Sequence, residues 1–285
     1  MGKVLLSPEE LKLLMASEPV VLIDTRNPEA FAAGHLPGAV NIHDIFTYLA
    51  TSSPEGIGEL KSKFAATFGA AGLSGAETAV VYEQSMNTGF GQSCRGYFLL
   101  SYLGYPKVAI LHGGYEAWVG AGGATTAEPS SPVRKTFPID ESADGIMVDK
   151  DAVLDVVKSG SAVLLDVRDV DEWIADSSSP YGKDFCPRKG RIPGAKWIEW
   201  YRMMKPTGSG PMMKAPPEIL AECATVGISA ETPVVLYCFK GARASNTFVA
   251  LKEAGVKDVK MYFGSWNEWS RDPSLPIESG FPQAG

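Results

Sequence analysis

Four short motifs occur twice in this chain, in the same order, and that duplication constrains the fold more than any other feature. Val21-Leu-Ile-Asp-Thr-Arg26 returns as Leu164-Leu-Asp-Val-Arg168, and Leu36-Pro-Gly-Ala39 returns as Ile192-Pro-Gly-Ala195. Val80-Val-Tyr82 returns as Val235-Leu-Tyr237, and Gly113-Gly-Tyr-Glu-Ala-Trp118 as Gly264-Ser-Trp-Asn-Glu-Trp269. A 285-residue chain written this way is two domains of ordinary size rather than one large one. We expect a first domain over residues 1–120, a linker over 121–144 and a second domain over 145–285. The linker is rich in Gly, Ala, Thr, Pro and Ser, and its Val133 and Phe137 predict that it lies against a surface. Spacing between the motifs places an insertion around Asp176–Arg191 in the second copy and a longer segment after Tyr82 in the first.

Within each copy, short apolar runs alternate with helical stretches. Val20–Asp24, Ala79–Tyr82, Val108–Leu111, Ala162–Asp166 and Pro233–Tyr237 are too uniformly apolar for half-exposed strands, so they predict strands buried on both faces. Val259–Tyr262 carries the same signal, interrupted by Lys260. Ile219–Cys223 and Arg243–Ala254 predict helices, the second stopped by Gly255. Strand and helix in alternation give the α/β class: in each domain, a central parallel sheet flanked by helices. Ligands of such sheets bind beyond the carboxyl ends of the strands.

Composition narrows the function. Hydrophobic residues at 45% and charged residues at 21% exclude a mainly disordered or fibrous chain. The excess of 33 acidic over 26 basic residues argues against nucleic acid as a partner. No apolar run approaches a membrane span, and the early acidic residues Glu9 and Glu10 predict no leader, so a cytoplasmic protein is expected. Four cysteines are too few for a disulfide scaffold, and they show no zinc spacing. All three histidines, His35, His43 and His112, fall in the first copy and show no ligand spacing, so no metal is expected. Cysteine chemistry in the second copy has no histidine of its own copy to draw on.

Cys238 is the residue placed to carry chemistry. It ends a predicted strand and precedes Phe239-Lys-Gly-Ala-Arg243 and a helix. Loop amides can converge on the sulfur, the helix directs its positive end at the same point, and Lys240 and Arg243 add charge. Gly241 permits a tight loop, and all of this favours thiolate over thiol. The alternative is a buried cysteine at a strand end. Cys94 has an adjacent Arg95 but is displaced from the strand end, Cys186 lies in the insertion, where either exposure or burial is open, and Cys223 reads as core packing.

These motifs together, the Asp-x-Arg turns, Gly34-His-Leu-Pro-Gly-Ala39, Cys238-Phe-Lys-Gly-Ala-Arg243 and Gly264–Trp269, resemble the tandem-domain rhodaneses, the thiosulfate and 3-mercaptopyruvate sulfurtransferases. The resemblance covers Val4 to Ile277. It implies two rhodanese-like domains, an active cysteine in the second, no cofactor, and a ping-pong cycle through a cysteine persulfide. It also implies thiosulfate as donor and cyanide or a thiol as acceptor, a thioredoxin-like reductant being one candidate. Two fused copies make a monomer sufficient. Glu83 stands at the cysteine's position in the first copy, which is therefore expected to be catalytically silent.

The basic loop resembles the thiosulfate enzymes more than the small, uncharged loop of mercaptopyruvate enzymes. Phe239 departs from that pattern. Glu172 departs too, standing where well-studied members place a donor-clamping arginine. Arg191, from the Arg188, Lys189, Arg191 cluster, is the expected replacement, while Asp166 and Arg168 are expected to pair and hold the loop end. Two other classes share Cys238. A phosphatase or arsenate reductase would use Cys-x5-Arg, one residue longer than the Cys-x4-Arg present here. A non-catalytic persulfide carrier cannot be separated by residues alone.

Overall fold

The computed structural model describes residues 3–282. The chain forms two compact units with the same strand plan. The first sheet contains β1 (Leu5–Leu6), β2 (Val20–Asp24), β3 (Val40–Asn41), β4 (Thr78–Tyr82) and β5 (Val108–Leu111), in the order β1-β5-β4-β2-β3. The second contains β6 (Met147–Val148), β7 (Val163–Asp166) and β8 (Lys196–Trp197). After a two-stranded antiparallel hairpin, β9 (Met204–Thr207) and β10 (Gly210–Met213), come β11 (Val234–Tyr237) and β12 (Val259–Tyr262). The second sheet runs β6-β12-β11-β7-β8, strand for strand the order of the first, and every pairing in both is parallel.

The central strands form because their side chains fill both faces of a sheet. All five residues of β4 and all four of β11 are buried. The repeated tyrosine at the end of each does the same work twice. Tyr82 accepts from the Leu36 amide, and Tyr237 accepts from the Ile192 amide, each at 3.2 Å. These bonds tie each Pro-Gly loop to the sheet and satisfy a hydroxyl that burial would otherwise strand.

The units are not cut at one point of the chain. Residues up to Tyr48, Gly58–Gly145 and the hairpin Met204–Met213 form the first, and Leu49–Ile57, Ile146–Met203 and the chain from Lys214 form the second. In the first unit, His112 anchors the hairpin by accepting the Met213 amide at 2.9 Å. Burial holds His112 down to about 4, so it stays neutral and able to accept. In the second, Ser52 donates its amide and hydroxyl to the Glu268 carboxylate at 2.7 and 2.8 Å, and its hydroxyl oxygen accepts from the Lys150 amide.

Residues 121–144, expected as a linker, belong to the first unit. Phe137 is buried against Phe68 and Tyr105, as the apolar content predicts, but Val133 is 77% exposed. Backbone bonds secure this stretch instead, including those between His35 and Thr126 and from the Lys135 amide to Gly69. The His35 ring lies 2.8 Å from the Phe31 carbonyl and 3.1 Å from that of Glu128. Among the described residues, no helix is long and apolar enough to cross a membrane.

Candidate active site

Cys238 follows the last residue of β11, at the carboxyl edge of the second sheet. The chain turns through Phe239, Lys240 and Gly241 into the helix Ala242–Glu253. Gly241 has φ 91°, and a Cβ there would sit 2.9 Å from the Phe263 ring, so only glycine makes this turn without strain. Its amide points back and donates to Cys238 Sγ at 3.1 Å.

The loop is fixed from its other side by the Gly264–Trp269 motif. The amides of Trp266 and Asn267 donate to the carbonyls of Cys238 and Phe239 at 3.0 and 2.9 Å. The Cys238 amide donates to Ser265 Oγ at 3.2 Å, and Ser265 in turn donates to the Tyr262 carbonyl. Ser265 holds the left-handed conformation, φ 54°, a strained geometry that sets its hydroxyl under the cysteine. Sequence reasoning did not single out Ser265; a small polar residue in a repeated glycine turn is its only signal.

The remaining loop side chains divide their work. Phe239 is buried and packs edge-to-face with Tyr181 and Phe185 of the inserted segment, at 5.5 and 5.8 Å between centroids. Lys240 places its ammonium 5.0 Å from the Tyr181 ring. Arg243 is buried, and its Nη1 pairs with Glu172 at 2.6 Å and Asp169 at 3.0 Å. Burial disfavours the guanidinium charge, but Glu172, Cys238 and Asp169 more than offset it, so Arg243 is held charged.

Asp166 and Arg168 form a buried pair. Arg168 Nε contacts both carboxylate oxygens at 3.0 Å, and Nη2 donates to Oδ2 and to the Gly190 carbonyl at 2.6 and 2.7 Å. The expected substitute clamp is committed elsewhere: Arg191 directs Nε to Glu278 and Nη1 to the carbonyls of Trp173 and Gly280. Arg188 donates to the carbonyls of Ser270, Leu275, Trp269 and Asp272. Arg243, by contrast, pairs with Glu172, a partner 71 residues away that sequence spacing could not reveal.

The other cysteines are internal. All four are unbonded to one another and buried. Cys186, whose exposure the sequence left open, is only 4% exposed, because the inserted segment folds inward beside Phe239. Burial pushes the Cys223 thiol up to about 11, which suits packing rather than nucleophilic work.

The first unit keeps the cradle without the sulfur. Glu83 is fully buried where Cys238 stands in the second, and the Tyr115 and Glu116 amides donate to the carbonyls of Glu83 and Gln84, as Trp266 and Asn267 do to theirs. Glu83 Oε2 accepts from the Ser93 amide at 3.2 Å, while Oε1 is buried without a partner. Burial raises this carboxyl to about 8, against the amides' pull. The native state thus holds the proton more tightly than the unfolded chain, and stability should fall as pH rises from about 4.5 to 8. Glu83→Gln should remove that slope and raise the melting temperature at pH 8 by on the order of a few degrees. Melting curves of both proteins across that range check it; parallel curves would refute the assignment.

A cysteine closes a central parallel strand of the second domain, held by the amide that opens the next helix, and the first domain carries a carboxylate at the matching position; this is the arrangement of a two-domain α/β sulfurtransferase. Residues 7–121 and 149–272 match the family model described as Rhodanese-like domain, so the chain belongs to the rhodanese family of sulfurtransferases. It is 29% identical over 281 residues to the sulfur carrier protein TtuD of Thermus thermophilus, covering 96% of this chain and 93% of that one. It is 27% identical over 275 residues to a thiosulfate sulfurtransferase of Pseudomonas aeruginosa, covering 96% of each. Among solved structures, wild-type EanB superposes with a TM-score of 0.83 at 26% identity, covering 98% of this chain and 69% of that one. An EanB variant, with a TM-score of 0.82 at 26% identity over 98% of this chain and 70% of that one, holds ergothioneine covalently linked with a persulfide cysteine.

Proposed function

We propose that the protein transfers sulfane sulfur from thiosulfate to a thiophilic acceptor through a persulfide on Cys238. The thiolate attacks the outer sulfur of thiosulfate, forming the S–S bond of the persulfide. The S–S bond of the donor breaks, and sulfite leaves with the electron pair. Cyanide or a thiol then attacks the terminal sulfur, and the Cys238 thiolate departs. Thiocyanate or an acceptor persulfide is the product, and a thioredoxin-like dithiol would be an acceptor of the same chemistry.

The observation that carries this reading is the Gly241 amide 3.1 Å from Cys238 Sγ, with Arg243 charged nearby. Such donors stabilise an anionic sulfur before and after loading without any histidine. Lys240 and Arg243 favour a dianionic donor over a neutral one. The Pseudomonas relative named for thiosulfate and the persulfide held by EanB support the same chemistry. Incubation with thiosulfate should add one sulfur atom to the Cys238 peptide, read by mass, and cyanide should remove it as thiocyanate. Sulfur carried on another cysteine, or on none, would overturn the reading.

The relative named as a sulfur carrier supports a second outcome for the same residue. A carrier would load once and unload slowly to small acceptors. Comparing single-turnover loading with steady-state thiocyanate formation separates the two.

A further inference from the structure

The arginine beside Cys238 is held by one nitrogen and bare at the other. Arg243 Nη1 carries both contacts to Glu172 and Asp169, whereas Nη2 is buried with no hydrogen-bond partner. Glu172 is itself fully buried, and its second oxygen, Oε1, also lacks a partner. A buried guanidinium nitrogen normally finds an acceptor, and one left bare beside a reactive sulfur is satisfied when an anion arrives there.

We propose that Glu172 and Asp169 are positioning residues that brace Arg243 by Nη1, presenting Nη2 as the donor for the oxyanion end of an S-sulfonate substrate and for the sulfite it releases. The inference rests on Cys238 as the sulfur-bearing residue and adds the device that aims its counter-charge. Two carboxylates on one nitrogen fix the plane of the guanidinium, because its donors lie in a rigid fork. They also offset its charge, so the arginine binds a departing anion without trapping it. The brace is local: Asp169 stands at the N-cap position of the helix Val170–Trp173 with its side chain free of the helix amides, and Glu172 lies on that helix.

The charged surroundings fix the direction of the test. Arg243 faces Cys238, Glu172, Asp169, Glu199 and Tyr201, while Glu172 also feels Arg168, which Asp166 neutralises. Lys240 lies in the loop itself. Burial raises the Glu172 carboxyl, and Arg243 at 2.6 Å and Arg168 pull it back toward the charged form; Glu172→Gln removes that charge from Arg243 yet keeps an oxygen for Nη1. It should lower the pH midpoint of Cys238 alkylation by about one unit and lower KM for thiosulfate by roughly threefold to tenfold, with kcat falling as sulfite release slows. Arg243→Gln strips the thiolate of its cation beside two carboxylates and should move the midpoint up. The double variant should return it toward the parent value.

Alkylation is read by mass on the Cys238 peptide and needs no turnover. If the parent protein takes no sulfur on Cys238, the proposed activity fails, while opposite midpoint shifts still establish the brace. A folded Glu172→Gln protein with unchanged midpoint and KM overturns the brace. So do shifts of the same sign in both single variants, which would signal general loosening. Should Glu172→Gln not fold, Asp169→Asn, at a partly exposed residue, must give the same signs at smaller size, and its failure to do so is equally decisive.

Discussion

Cys238→Ser should abolish thiosulfate-to-cyanide transfer, with turnover falling by roughly three orders of magnitude or more. The argument is chemical before it is structural. A hydroxyl ionises far too weakly to attack a sulfur, and an oxygen cannot hold and release sulfane sulfur as a thiolate does. Serine nevertheless fits: the residue is buried, and Oγ can accept the Gly241 amide that Sγ now accepts at 3.1 Å. The melting temperature should therefore stay within a few degrees of the parent, and the circular dichroism spectrum should not change. Cys94→Ser and Cys223→Ser should retain turnover, since neither thiol ends a strand at a helix-opening glycine turn. Thiocyanate formation, measured beside melting curves for all three variants, checks the set. Full activity in a folded Cys238→Ser protein would remove the basis of the proposed mechanism.

How far this chemistry can be read from sequence depends on the range of the interactions that build it. The central strands are legible because burial on both faces makes them continuously apolar, and Val108–Leu111 and Val259–Tyr262 appear at their expected bounds. The outer strands are not. Leu5–Leu6, Val40–Asn41, Met147–Val148 and Lys196–Trp197 are two residues each, too short to show any period. The hairpin Met204–Met213 left only the turn residues Gly208, Ser209 and Gly210 as a sign. The Cys238 loop is legible because its parts are adjacent in the chain. The Arg243–Glu172 contact spans 71 residues, and nothing local distinguishes Glu172 from a solvated acid on a short helix. The same holds for Cys186, whose burial depends on how the insertion folds against Phe239.

The repeat also explains why one copy can lose its sulfur and remain intact. The amides that fix Cys238 and Phe239 have counterparts fixing Glu83 and Gln84, so the turn does not depend on what side chain it carries. What differs is charge. In the second unit Arg243 pairs with Glu172 and Asp169 and is held charged, whereas in the first the Arg95 guanidinium donates to the carbonyls of Phe46 and Tyr48. A buried carboxyl there avoids the charge by holding its proton, as the raised Glu83 value indicates.

Asp166→Ala should be the most destabilising single change at the site, costing about 3–5 kcal/mol. Removal of the carboxylate leaves the Arg168 guanidinium fully buried, with Nε unsatisfied, Nη1 already without a partner, and only the Gly190 carbonyl on Nη2. The Trp266 ring, 4.6 Å from the guanidinium carbon, offers a cation–π contact but no acceptor. The Arg168 amide also loses its bond to Asp166 Oδ1. In the first unit, Asp24→Ala should cost less, because Arg26 keeps the Gln84 side chain at 3.1 Å and the Gly34 carbonyl at 2.7 Å. Replacing both members, Asp166→Leu with Arg168→Leu, should cost less than Asp166→Ala alone, since no buried charge is then left unpaired. Denaturant unfolding followed by tryptophan fluorescence gives all three values. A loss below about 1 kcal/mol for Asp166→Ala, or a double variant as unstable as the single, would mean that the pair is not what closes the end of β7.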